Sequence, residues 1–172
     1  LQERIDDLVA QMTLEEKAGL MLIDTLNADP LGALPAQASN FIQNQKMSRF
    51  IFRNVVTIPA TGLQVTPEQA AKFTNAVQEM SEASRLGIPA LFKSNARNHF
   101  DKDPRVGINE ASGAFSEFPK EAGLAAAALG SGDMGLVKNF ATVMGSEWKS
   151  IGLRGMYGYM ADLSTEPRWY RV

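Results

Sequence analysis

The sequence has no cysteine and one histidine, His99, in 172 residues. The first absence removes disulfides, thiolate nucleophiles and cysteine-ligated metals. The second removes multi-histidine zinc sites, and it leaves a Ser-His-Asp triad only His99 as its base. No apolar run approaches the ~20 residues a spanning helix needs. No signal peptide is visible at Leu1-Gln2-Glu3-Arg4, although a mature exported protein reads the same way. Neither sign of charge predominates: 17 basic residues face 19 acidic ones, for a formal net charge of -2. That balance gives no electrostatic reason to expect nucleic acid or a membrane as partner. Heptads, short repeats and low-complexity tracts are also missing, and no linker divides the chain. What remains is ordinary globular composition, 45% hydrophobic and 21% charged, in a chain long enough for one core. No cofactor and no metal site is expected.

The apolar spacing predicts alternating helices and strands. Ile5, Leu8, Val9 and Met12 share one helical face. Thr13-Leu14-Glu15-Glu16 is a capping box that starts a second short helix. Ala18 to Asp24 is a continuous apolar run ending in an acid and reads as a buried strand. Asn27 to Gln45 has no period and reads as a long loop. Arg49 to Ile58 reads as a second strand. Thr66-Pro67-Glu68-Gln69 combines a capping box with proline at the first helical position. Phe73, Ala76, Val77, Met80 and Ala83 carry that helix inward, to a stop near Gly87. Ile88 to Phe92 reads as a third strand, and a polar loop follows from Lys93 to about Glu117. Glu121 to Leu129 and Asp133 to Ile151 read as helices, the second with Leu136, Phe140, Val143, Met144 and Ile151 inward. Gly152 ends it, Leu153 opens the last strand region, and Tyr157 to Leu163 reads as strand. This order argues for parallel βαβ units.

Four groups of residues are chemically suggestive. Gly130-Ser131-Gly132-Asp133-Met134-Gly135 matches G-x-G-x-x-G, but a helix precedes it where a dinucleotide site needs a strand. A helix–helix junction is the better reading, with Gly130 ending one helix and Ser131 or Asp133 capping the next. Lys93-Ser94-Asn95-Ala96-Arg97-Asn98-His99 follows the third strand, where parallel α/β folds place ligands. Asn95 both donates and accepts, and Arg97 donates in a planar fork, a pair suited to hydroxyl recognition. The alternative is a surface loop with its own Asx turns, in which His99 is a solvated or hydrogen-bonded histidine. Asp24, Asp162 and Glu166 lie near predicted strand ends, although most carboxylates are simply solvated. Finally, Arg168 beside Trp169 makes a plausible clamp for a polar ring, pairing a fork of donors with a flat apolar face.

Four segments, in order, resemble glycoside hydrolase family 3, the β-glucosidase and exo-glucanase group. Arg4 to Lys17 resembles its opening helix and cap, and Ser84-Arg85-Leu86-Gly87-Ile88-Pro89 its helix-to-strand junction. Phe118-Pro119 with Gly123-Leu124-Ala125 resembles the segment after its first binding loop, and Glu166-Pro167-Arg168-Trp169 its Asp-Pro-Arg-Trp motif. The resemblance spans nearly the whole chain, most weakly from Asn27 to Gly62. It implies an α/β fold, the first half of a (β/α)₈ TIM-type barrel with parallel strands. Such a barrel takes ~250 residues, so residues 1–172 are expected to form the N-terminal portion of one barrel domain. The implied reaction is retaining hydrolysis of terminal β-linked sugars. In it one carboxylate attacks the anomeric carbon, while another protonates the leaving oxygen and then activates water.

Roles carry over only where residues match. Arg168 resembles the arginine that binds glycone hydroxyls. Asn95 stands where many members have an aspartate with that role, and it keeps an acceptor but loses the charge. Arg97 is a third substrate-binding candidate. Trp169 is read as a packing residue, and Tyr170 replaces the family's usual glycine. No residue matches the family's Lys-His pair, nucleophile or acid/base, so no catalytic residue is expected here, and the fragment alone is expected to be inactive. The implied partners are an oligosaccharide or β-glucoside and the remainder of the barrel or a second chain. The implied compartment is periplasmic or extracellular. Two rivals remain: a non-catalytic carbohydrate-binding or interaction module of α/β fold, and a small α/β enzyme using Asp24, Asp162 or His99.

Overall fold

The structure is a computed structural model that describes residues 1–29, 33–53, 65–94, 98–99, 115–156, 158, 165–166 and 168. Helix α1 (Gln2–Gln11) buries none of its own residues, and only Met12 after it is covered. Thr13 then caps α2 (Leu14–Gly19) as the sequence predicts: its hydroxyl accepts from the Glu16 amide at 3.3 Å, and the Glu16 carboxylate accepts from the Thr13 amide at 2.9 Å. The second capping box is equally faithful. Thr66 and Gln69 close it, Pro67 takes the first helical position, and α4 (Pro67–Glu82) follows. Phe73 and Val77 point inward along it, whereas Ala83, expected inward, is exposed beyond its end.

Three predicted elements change. Residues 18–24 do not form one strand. Ala18 and Gly19 finish α2, Leu20 and Met21 turn, and strand β1 (Asp24–Thr25) is all that pairs. The cap at Thr13 starts a helix whose hydrogen bonds already claim the first half of that run. The stretch 27–45 is not all loop: α3 (Ala36–Ser39) runs into a π-helical turn (Asn40–Asn44) that buries Ala38, Phe41 and Ile42. Those three sit at helical spacing. Strand β3 (Leu91–Ser94) begins three residues later than Ile88. Instead, Gln78 of α4 pairs with the backbone of Ala90, donating to its carbonyl at 2.6 Å and accepting from its amide at 2.9 Å. Strand β2 (Arg49–Ile51) matches the start of its predicted range, and 54–58 lie outside the described residues.

Helices α5 (Glu121–Ser131) and α6 (Gly135–Ser150) precede strand β4 (Leu153–Met156). Of the run 157–163, only Gly158 is among the described residues. Leu136, expected inward on α6, is 37% exposed, whereas Phe140 and Ile151 are buried. Gly152 has φ 86 and a Cβ there would lie 2.8 Å from Thr74 Cβ, so glycine is needed on both counts. Thr74 in turn donates its hydroxyl to the Ile151 carbonyl at 2.9 Å, locking α4 to the end of α6.

The strands form one parallel sheet in the order β1-β2-β3-β4. That sequential order is how a (β/α)₈ barrel grows, whereas a doubly wound sheet reverses direction part-way. Phe50, Phe92 and Leu153 are register partners across β2, β3 and β4, and all three are buried. Phe41, Phe50, Phe52, Phe73 and Phe92 interlock with ring centroids 5.0 to 6.1 Å apart. Each such ring contributes roughly 2–3 kcal/mol by burial. Among the described residues the opposite face of the sheet is the more exposed one: Leu91, one residue from the fully buried Phe92, is 43% exposed.

Candidate functional site

In a parallel sheet every strand delivers its C-terminal residues to the same edge. Here that edge carries Asn27 after β1, Arg53 after β2 and Lys93 near the end of β3. Beyond the strands proper, the Leu26 amide donates to the Ile51 carbonyl and the Phe52 amide to the Lys93 carbonyl, each at 3.0 Å. Asn27 Oδ1 accepts from the Arg53 amide at 2.8 Å, stapling the exit of β1 to that of β2. Neither Asn27 nor Arg53 stands out in the sequence. Asn27 lies in an aperiodic stretch, and Arg53 is hidden inside a predicted strand.

Asn95 and Arg97 lie outside the described residues. The two residues after them are held firmly. Asn98 is fully buried; its Oδ1 accepts from Trp148 Nε1 at 2.5 Å, and its Nδ2 donates to Glu147. Glu147 also accepts from the Ser116 hydroxyl at 2.5 Å and from the Ser116 amide. One end of α6 thereby gathers residue 98 and residue 116 onto a single carboxylate–amide node. His99 is 7% exposed, with Nδ1 2.7 Å from the Pro119 carbonyl and its ring stacked 5.4 Å from Phe140. The carbonyl makes Nδ1 the protonated nitrogen, and Nε2 faces Glu121 Oε1 at 3.5 Å. This histidine is a packed, hydrogen-bonded residue, not a solvated one.

Arg168 is 88% exposed and is gripped by Glu166. Glu166 Oε1 accepts from the Arg168 amide at 3.0 Å and from Nε at 2.7 Å, and Oε2 accepts from Nη2 at 2.8 Å. These bonds, the guanidinium first, hold the Glu166 carboxyl down to about 2. Asp24 does not end a strand: it opens β1, is exposed, and accepts from the Thr25 amide at 2.6 Å. Asp162, Trp169 and Tyr170 lie outside the described residues. The glycine-rich stretch is a helix junction. Gly132, not Gly130, ends α5 in the left-handed conformation at φ 70, and Asp133 Oδ1 accepts from the Gly135 amide at 2.8 Å. No cluster of acidic or histidine residues suited to a metal occurs among the described residues.

The chain aligns along its whole length with known glycosidases. It is 35% identical over 170 residues to the periplasmic beta-glucosidase/beta-xylosidase of Dickeya chrysanthemi, covering 99% of this chain and 25% of that one. It is 34% identical over 174 residues to beta-glucosidase C of Emericella nidulans, covering 100% of this chain and 26% of that one. It thus spans about a quarter of the length of the curated relatives it matches. No family model matches it. Among solved structures, a glycoside hydrolase family 3 beta-N-acetylglucosaminidase from Paenibacillus sp. str. FPU-7 superposes with a TM-score of 0.60 at 20% identity. That match covers 83% of this chain and 23% of that one. The sequential parallel sheet and the likeness in fold to that enzyme define part of a TIM-type barrel. The chain is thus similar along its whole length to beta-glucosidases, and in fold to part of a glycoside hydrolase family 3 enzyme, in line with the resemblance its four ordered motifs carry.

Proposed function

We propose that residues 1–172 form the N-terminal portion of a single barrel domain in a retaining β-glycosidase acting on terminal β-linked sugars. In this reading the segment binds the glycone and leaves the covalent chemistry to carboxylates elsewhere in the enzyme. Arg168 is its principal contact, with Asn95 and Arg97 beyond the end of β3 as further hydroxyl partners. The observation that carries the reading is the match, along the whole chain, to proteins named as β-glucosidases and β-xylosidases. The exposed guanidinium of Arg168, in the matching motif, supplies a chemically suitable group. A glucoside or xyloside is the substrate class those names favour. The periplasmic relative favours an exported location.

The test is kinetic. In the full-length enzyme, Arg168→Ala is expected to lower kcat/KM for p-nitrophenyl β-glucoside or β-xyloside by about 10²-fold or more. A charge-assisted hydrogen bond that positions the sugar contributes on that scale. An unchanged kcat/KM would remove Arg168 from the site.

A further inference from the structure

The geometry points to Glu166 as a positioning residue that holds Arg168 ready for the sugar before the sugar arrives. This rests on the glycone-binding reading of Arg168. The carboxylate takes three donors from one residue: the backbone amide, Nε and one N–H of Nη2. The amide bond fixes where the Arg168 backbone turns. The paired side-chain bonds fix the plane and direction of the guanidinium, as a two-pronged Arg–carboxylate contact does. Two N–H groups on Nη1 and the second on Nη2 have no acceptor among the described residues. They form an outward fan of three donors on a rigid plane, a match for adjacent hydroxyls on a pyranose ring.

The contact contributes little to folding, because the Arg168 and Glu166 side chains are 88% and 50% exposed and water screens them. Its value lies in preorganisation. An unrestrained arginine side chain loses rotamer freedom on binding, and here that loss is already incurred in the free protein. Glu166 itself stays ionised throughout the working range, since its carboxyl is held far below neutrality.

The experiment is a double-mutant cycle in the full-length enzyme, with p-nitrophenyl β-glucoside and β-xyloside as probes. Glu166→Ala is expected to lower kcat/KM by about tenfold, mainly through KM, while Tm stays unchanged. In an Arg168→Ala background the same substitution is expected to do nothing further, because its only route to the substrate is gone. Two results overturn the inference while leaving the Arg168 role intact: an inert Glu166→Ala, or effects that add fully in the double mutant. An inert Arg168→Ala instead overturns the glycone role itself, and this inference with it.

Discussion

At the scale of single residues, the side chain with the most at stake in the described structure is Asn98. The sequence draws attention to its neighbours Asn95, Arg97 and His99, which have more recognisable chemistry. Asn98 has no periodicity to mark it, and its partners Glu147 and Trp148 lie 49 and 50 residues away. Such a contact is invisible until the chain has folded. By contrast, the contact of Arg168 with Glu166 is local: a fork of donors meets a carboxylate two positions earlier. The predicted consequence concerns stability. Asn98→Ala leaves the indole N–H of Trp148, a residue only 3% exposed, without its acceptor. It also deprives Glu147 of one donor. The expected cost is about 1–3 kcal/mol for a buried polar group left unpaired, read as a lower urea midpoint of the full-length protein. A change within error would mean that water replaces the amide.

At the scale of elements, the two helix starts marked by a capping box were legible and strand limits were not. A capping box is a local device of four residues, so Thr13–Glu16 and Thr66–Gln69 could be placed from sequence to the residue. A strand is defined by its partners. Residues 18–24 are apolar enough for a strand, yet only Asp24 and Thr25 meet β2. One contact between elements gives a testable pH dependence. Arg85, just past α4, donates Nε to Glu16 Oε1 at 2.9 Å, Nη2 to Glu16 Oε2, and Nη2 also to the Gln11 carbonyl at 2.8 Å. It thereby joins α1, α2 and α4 beside an apolar cleft of about 170 Å³. The Arg85 bonds, aided by the Thr13 amide, hold the Glu16 carboxyl down to about 2, against an unfolded value of ~4.3. A carboxyl depressed on folding stabilises fully above its unfolded value, and that contribution fades as pH falls through the folded one. Urea midpoints are therefore expected to fall between pH ~4.3 and ~2, and to fall less steeply in Glu16→Gln. Identical slopes for the two proteins would show that the pair is not coupled to folding.

At the scale of the molecule, the sheet has one finished face among the described residues. Parallel sheets are ordinarily covered on both sides, because their crossover helices and barrel interiors leave neither side to water. Here Phe50 and Phe92 are fully buried on the helix-covered side, while Leu91 on the other side is 43% exposed. Strands β1 and β4 each have one neighbour, so each presents an unpaired backbone edge among the described residues. Helix α1 adds Ile5 and Val9, 43% and 46% exposed on the apolar stripe its sequence predicts. The class of fold was legible because four motifs appear in family order. Unpaired edges and an uncovered inner face are what a half barrel implies. Edges and a face left open among the described residues have a shared physical consequence: the 172-residue chain on its own should seek partners for both. Expressed alone, it is expected to elute in light-scattering chromatography as concentration-dependent dimers or larger species, and to bind a hydrophobic dye. In the full-length protein further strands and helices are expected to cover these surfaces, and dye binding should be lost. A monomer that unfolds cooperatively and stays dark with the dye would count against an incomplete barrel and for a self-sufficient binding module, since only a chain that covers its own sheet behaves that way.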